Sequence, residues 1–107
     1  MIKINMHNHR SPGSKLYSGR PLGIEVRNKL DFDNKDKDIE NYIIVFPEDT
    51  VSINSSYFGG LFEKSVMDLG KDNFLKKYKF TYTNGGELSE SLMRNIEEGI
   101  SDALKEF

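Results

Sequence analysis

Three observations predict an α/β fold for this 107-residue chain. Tyr42-Ile43-Ile44-Val45-Phe46 is apolar on successive residues, the pattern of a central strand covered on both faces. Phe58, Leu61, Phe62, Val66 and Leu69 recur at three- and four-residue spacing, which lines one side of a helix. Leu88, Leu92, Met93, Ile96, Ile100, Ala103, Leu104 and Phe107 form a broader stripe for a carboxyl-terminal helix. The length leaves no room for a second core of ordinary size, so one domain is expected, with helices packed on a central mixed sheet.

The remaining elements follow in chain order. Ile2, Ile4 and Met6 alternate with polar residues and predict a first strand. His7 to Tyr17, with Ser11-Pro12-Gly13-Ser14 inside it, reads as a loop with a short strand around Lys15-Leu16-Tyr17. Ser18 is placed to cap a first helix in which Pro21 occupies the first turn and Leu22, Val26 and Leu30 share a face. Asp31 to Glu40 is hydrophilic and reads as a solvated connection; Ile39 to Phe46 is the strand that follows, ended by Pro47. A second helix runs from Tyr57 to Leu69, with Gly70 as its stop signal. Phe74 and Leu75 suggest a helical turn, Tyr78, Phe80 and Tyr82 another strand, and Asn84-Gly85-Gly86 a turn before the last helix.

Fifteen basic and seventeen acidic residues give a formal charge of −2, which argues against a general affinity for nucleic acid. The chain has no cysteine, so disulfides and thiolate metal sites are excluded and a reducing, cytoplasmic location is expected. No apolar run is long enough to span a bilayer, and the amino terminus has no signal-peptide core.

The corner Asn54-Ser55-Ser56 carries the most specific chemical signal. Hydroxyl side chains that open a helix stand beside unpaired N–H groups and the positive end of the helix dipole, an arrangement suited to a phosphate. The same residues also make an ordinary helix cap, with Asn54 or Ser55 as the capping group. Gly59-Gly60 inside the helix costs roughly 0.8–1 kcal/mol per glycine relative to alanine. That cost implies close approach at a bare backbone, either by a partner or by another element of the fold.

Other motifs carry less. His7 and His9 lack further histidines or cysteines to complete a zinc site, while the loop around them joins Arg10 and Lys15 as a candidate anion site. Arg20 is a third cation of that kind. Asp31, Asp33, Asp36, Asp38 and Glu40 alternate like a calcium loop, but Asp36 stands at the turn-glycine position and Tyr42 where the bidentate glutamate belongs. No nucleophile elbow surrounds Ser55 or Ser56. No catalytic set, metal site or cofactor is therefore expected.

The segment Ser18-Gly19-Arg20-Pro21-Leu22-Gly23-Ile24-Glu25-Val26-Arg27, the strand Ile43-Ile44-Val45-Phe46, and Ile53-Asn54-Ser55-Ser56-Tyr57-Phe58-Gly59-Gly60-Leu61-Phe62 occur in a recognisable order. Together they resemble a bacterial STAS-like domain family of undefined function, named for the domain shared by sulfate transporters and anti-sigma factor antagonists. The resemblance extends from about Ser18 to the carboxyl terminus. It implies a single STAS-like α/β domain with a non-catalytic regulatory role exerted through protein contacts. In anti-sigma antagonists the partner is a histidine-kinase-like ATPase that phosphorylates a serine at the start of the equivalent helix. The matching residue is Ser55, with Ser56 beside it; Asn54 replaces the usual aspartate, and Tyr57-Phe58 replace small residues. Asn54, Tyr57, Phe58, Gly59 and Gly60 are then the expected partner contacts. Two alternatives stand beside this reading. One is an unphosphorylated interaction or inhibitor protein of a phage or defence system. The other is a nucleotide-binding module using the helix start with Arg10, Lys15 or Arg20.

Overall fold

In a computed structural model describing residues 1–105, strand β3 (Tyr42–Phe46) lies between β1 (Ile2–Asn5) and β5 (Tyr78–Tyr82), and both pairings are parallel. A second parallel pair joins β2 (Leu16–Tyr17) to β4 (Ser52–Ile53). The fold is α/β, as its sequence predicts. The sheet expected to be mixed is parallel in every named strand, and antiparallel pairing is limited, among the described residues, to the bridge Thr81–Glu87.

Register explains the burial. Ile4, Ile44 and Phe80 fall in one row, and Tyr42 stands beside Tyr78 on the same face. That face meets α3 (Ser55–Leu69), whose Phe62 is the hub of an aromatic cluster. Its ring centroid lies 4.9–5.9 Å from those of Phe32, Phe58, Phe74, Tyr78 and Phe80. Such offset and edge-on pairs add about 0.5–1.5 kcal/mol each beyond burial. The opposite face is only partly covered: Val45 is buried, Ile43 half-buried, and Lys3 and Lys79 beside Ile43 are exposed.

Helix α1 (Arg20–Lys29) crosses α3 closely, because glycines meet there. A Cβ on Gly23 would lie 2.3 Å from the Tyr57 carbonyl oxygen, and one on Gly60 2.3 Å from that of Arg20. The glycines therefore bring two backbones together, the structural reading of Gly60. Pro21 sits in the first turn as expected, but the cap position is Gly19, at φ +94°, rather than Ser18. Helix α5 (Glu90–Leu104) buries Leu92, Ile96, Gly99, Ile100 and Ala103 and is capped by the Ser89 hydroxyl, which accepts from the Leu92 N–H at 3.2 Å. Leu104 is 42% exposed, off the expected stripe, and Phe107 lies outside the described residues.

The segment expected to be a solvated connection is not one. It contains α2 (Phe32–Lys35), and Phe32 is fully buried against Phe62 and Tyr78. Asp36 is buried with it. The Arg27 guanidinium donates to Asp36 Oδ2 at 2.8 Å, to Ser65 Oγ at 2.8 Å and to the Leu61 carbonyl at 2.8 Å. Ser65 and the Tyr78 hydroxyl donate to the same carboxylate, Tyr78 at 2.6 Å. Every member of this network is satisfied, which is the condition for burying charge without a large penalty. Burial and the adjacent Asp36 carboxylate push the Tyr78 phenol far above its ordinary pKa, so it acts as a donor at any physiological pH.

Strand β3 begins at Tyr42 rather than Ile39, which is 96% exposed. Ile39 sits on a turn clamped by Lys77, whose ammonium donates to the carbonyls of Asp38 and Glu40, each at 2.8 Å. The Phe74-Leu75 turn is part of a full helix, α4 (Lys71–Lys77). Among the described residues no helix is long and apolar enough to cross a membrane.

Candidate functional site

The corner before α3 follows β4, a two-residue strand, and not the long strand β3; Pro47 to Val51 intervene. Asn54 is extended (φ −68°, ψ 144°), and its side-chain oxygen accepts from the Ser56 N–H at 2.8 Å. The cap is therefore Asn54. The Ser56 hydroxyl also donates to Asn54 Oδ1, whereas no side-chain hydrogen bond engages the Ser55 hydroxyl among the described residues. Asn54, Ser55 and Ser56 are all exposed. The dipole of a fifteen-residue helix ends at this corner.

Two expected contact residues are corrected. Tyr57 and Phe58 are buried, at 0% and 1% exposure, and cannot meet a partner without unfolding. A helix turns about 100° per residue, so two positions after an exposed serine the side chain points inward. Tyr57 donates its hydroxyl to the His9 carbonyl at 2.7 Å and packs edge-on against Tyr17. Phe58 packs on Gly99 of α5, where a Cβ would lie 2.3 Å from its ring. Gly60 is buried under α1 as described, and Gly59 is half-buried at the edge of the crossing.

The three candidate anion-binding cations fall in two hollows, Arg10 and Lys15 together and Arg20 apart. Arg10 and Lys15 line one of about 360 Å³ with His7, Ser11 and Ser14. There Arg10 donates to Asp49 at 2.8 Å, and this hydrogen bond holds the Asp49 carboxyl below the usual carboxylate range. Arg20 lines another, of about 330 Å³, directly beside Ser55 and Ser56. Glu63, Asp102 and Lys105 complete its charged rim. These three were not singled out by the sequence reading. Glu63 was findable, since it lies two turns after Ser55 on the same helix face; Asp102 and Lys105 arrive from α5 and its carboxyl-terminal cap, whose docking angle no local pattern encodes.

His7 is exposed, and His9 lies in a one-turn 3-10 helix, its imidazole pKa lowered by partial burial and by the Lys29 charge. Among the described residues no group of three or more histidines, aspartates or glutamates could hold a metal ion. A third hollow, about 470 Å³, opens over the Arg27–Asp36 network and carries Lys37, Lys64, Asp33 and Asp68 on its rim, a balanced set of charges. No protein-family model, no curated protein and no solved structure matches this chain.

Proposed function

We propose that this chain is a non-catalytic, cytoplasmic regulatory domain, similar to an anti-sigma factor antagonist, whose α3 corner docks a protein partner and whose Ser55 is the phosphoacceptor. The observation that carries this reading is the exposed Ser55 hydroxyl, unengaged in the first turn of α3, beside a neighbour whose hydroxyl is already committed to the Asn54 cap. Asn54 makes the cap, so modification of Ser55 leaves the helix start intact.

The partner in this reading is a histidine-kinase-like ATPase. The Ser55 oxygen attacks the γ-phosphorus of ATP, the bridging P–O bond to the β-phosphate breaks, ADP leaves and the hydroxyl proton passes to a base of the kinase. The product carries a near-dianion at the positive end of the α3 dipole, which favours the helix by about 0.3–1 kcal/mol and changes the charge of the docking surface. Release or reorientation of the partner follows from that change. With Tyr57 and Phe58 in the core, the docking surface reduces to Asn54, Ser55, Ser56, the edge of Gly59 and the charged rim around them.

Incubation with the host's kinase-like ATPase and ATP should add one phosphoryl group to the intact mass and none to Ser55→Ala. An interaction protein that works without phosphorylation, the phage or defence alternative, differs in one respect: Ser55→Asp leaves its binding unchanged, whereas the switch gains or loses binding sharply. The nucleotide-binding alternative has a specific basis in the Arg10 and Lys15 hollow, which also offers the hydroxyl residues Ser11 and Ser14. It requires an anion to displace Asp49 from Arg10, and thermal shifts with common nucleotides test it.

A further inference from the structure

Arg20 reaches from the first turn of α1 onto α3 and lies across Gly59. A Cβ built at Gly59 would meet Arg20 Nη1 at 2.7 Å and no other residue's side chain or backbone closer. The bare glycine is thus the seat of the guanidinium. From that seat the other nitrogen, Nη2, is paired with Glu63 Oε2. Ser55, Gly59 and Glu63 are spaced four residues apart and form one ridge of the helix, each about one turn, or roughly 5–6 Å, from the next. Arg20 therefore lies over Gly59 and on Glu63, one turn along the same ridge from Ser55, and lines one hollow with all three. The Arg20 side chain is 48% exposed and that of Glu63 22%, so the pair sits at the rim of the hollow with its guanidinium open to water, where an ion pair is worth little.

We infer that Arg20 is the intramolecular reader of Ser55 modification: it exchanges Glu63 for the phosphoseryl group, and the mark is thereby transmitted to α1. This rests on the proposed phosphorylation of Ser55 and adds what the phosphate does once present. Arginine suits the exchange, since its planar fork binds phosphate oxygens through two parallel N–H donors and a phosphate dianion outcompetes a single carboxylate. The other charged groups facing the hollow are Asp102 of α5 and Lys105, the cap residue that follows it, one of each sign, which leaves the choice to Arg20 and Glu63. Release of Glu63 frees a carboxylate two turns along α3 from Ser55, so the docking surface changes in charge at two points for one modification.

The test installs phosphoserine at position 55 during synthesis, which makes it independent of any kinase, and follows the phosphate by 31P NMR titration. Its second pKa, about 6 in the free group, is expected to fall by about half a unit or more in the folded protein. Arg20→Ala should return most of that shift, while Glu63→Gln, which leaves Arg20 uncommitted, should enlarge it. Arg20→Gln serves as a second variant if Arg20→Ala fails to fold. An identical titration with and without the Arg20 guanidinium overturns the inference, even if host kinase marks Ser55. Conversely, an Arg20-dependent shift in a protein that no host kinase modifies sustains the reader geometry and sinks the switch.

Discussion

Gly60 and the Arg20 carbonyl touch: a methyl group on Gly60 would stand 2.3 Å from that oxygen and 2.9 Å from the Ile24 nitrogen. Its neighbour Gly59 meets nothing but the far end of the flexible Arg20 side chain. Two adjacent glycines in one helix thus answer to different constraints. Gly60→Ala forces the α1 and α3 backbones apart and should cost about 1–3 kcal/mol, in the range of overpacked cores. Gly59→Ala moves only a guanidinium and gains roughly 0.8–1 kcal/mol of helix propensity, so it should be neutral or stabilising. Urea denaturation of the two variants checks the opposite signs.

The Arg27–Asp36 pair is buried on both sides, with side-chain exposures of 8% and 6%. Asp36→Ala strips Arg27, Ser65 and Tyr78 of a shared acceptor at once. Removing one partner of a buried pair costs about 3–5 kcal/mol, and that is the expected loss in unfolding free energy. Tyr78→Phe, which removes a single donor from a carboxylate that keeps two others, should cost about 1–2 kcal/mol. A larger effect from Tyr78→Phe than from Asp36→Ala would contradict the network.

Acid sensitivity follows from two exposed carboxylates. Asp33 is held below the usual carboxylate range by its hydrogen bond from Arg27, and Asp49 by that from Arg10. A folded pKa below the unfolded value of about 3.9 means that their contribution is fully present above that pH. It is lost as the pH falls through the lower, folded value. Stability should therefore decline in the acid range below about pH 4. Asp33→Asn and Asp49→Asn should each flatten that decline below about pH 4, as read by urea denaturation from neutral pH down to the acid limit.

How much of this was legible in the chain depends on whether burial left a local pattern. The apolar run of β3, the Phe58 to Leu69 spacing of α3 and the Leu92 to Ala103 part of the α5 stripe each mark an element that forms where the pattern puts it. Phe32 is one aromatic among aspartates and lysines, so no period announces it; only the tertiary contact with Phe62 and Tyr78 makes it core. Arg27 is buried beside Val26, and no local pattern marks it, since a satisfied buried arginine looks in sequence like any other. At the corner, the exposed serines were legible from the turn chemistry. The inward rotation of Tyr57 and Phe58 was available from helical phase, Phe58 belonging to the apolar spacing of α3 itself, whereas their reading as partner contacts came with the resemblance. The grouping of Arg20 with Ser55, apart from Arg10 and Lys15, depends on how α1 crosses α3, which the paired glycines determine only in three dimensions.

The role of Ser55 is tested most directly by incubating the wild-type chain with its host's kinase-like ATPase and ATP and mapping the modified residue by tandem mass spectrometry. One phosphoryl group on Ser55, with partner affinity changed by at least tenfold between the modified and unmodified chains, is the expected result. An unmodified Ser55 together with partner binding that is indifferent to both Ser55→Ala and Ser55→Asp would contradict it.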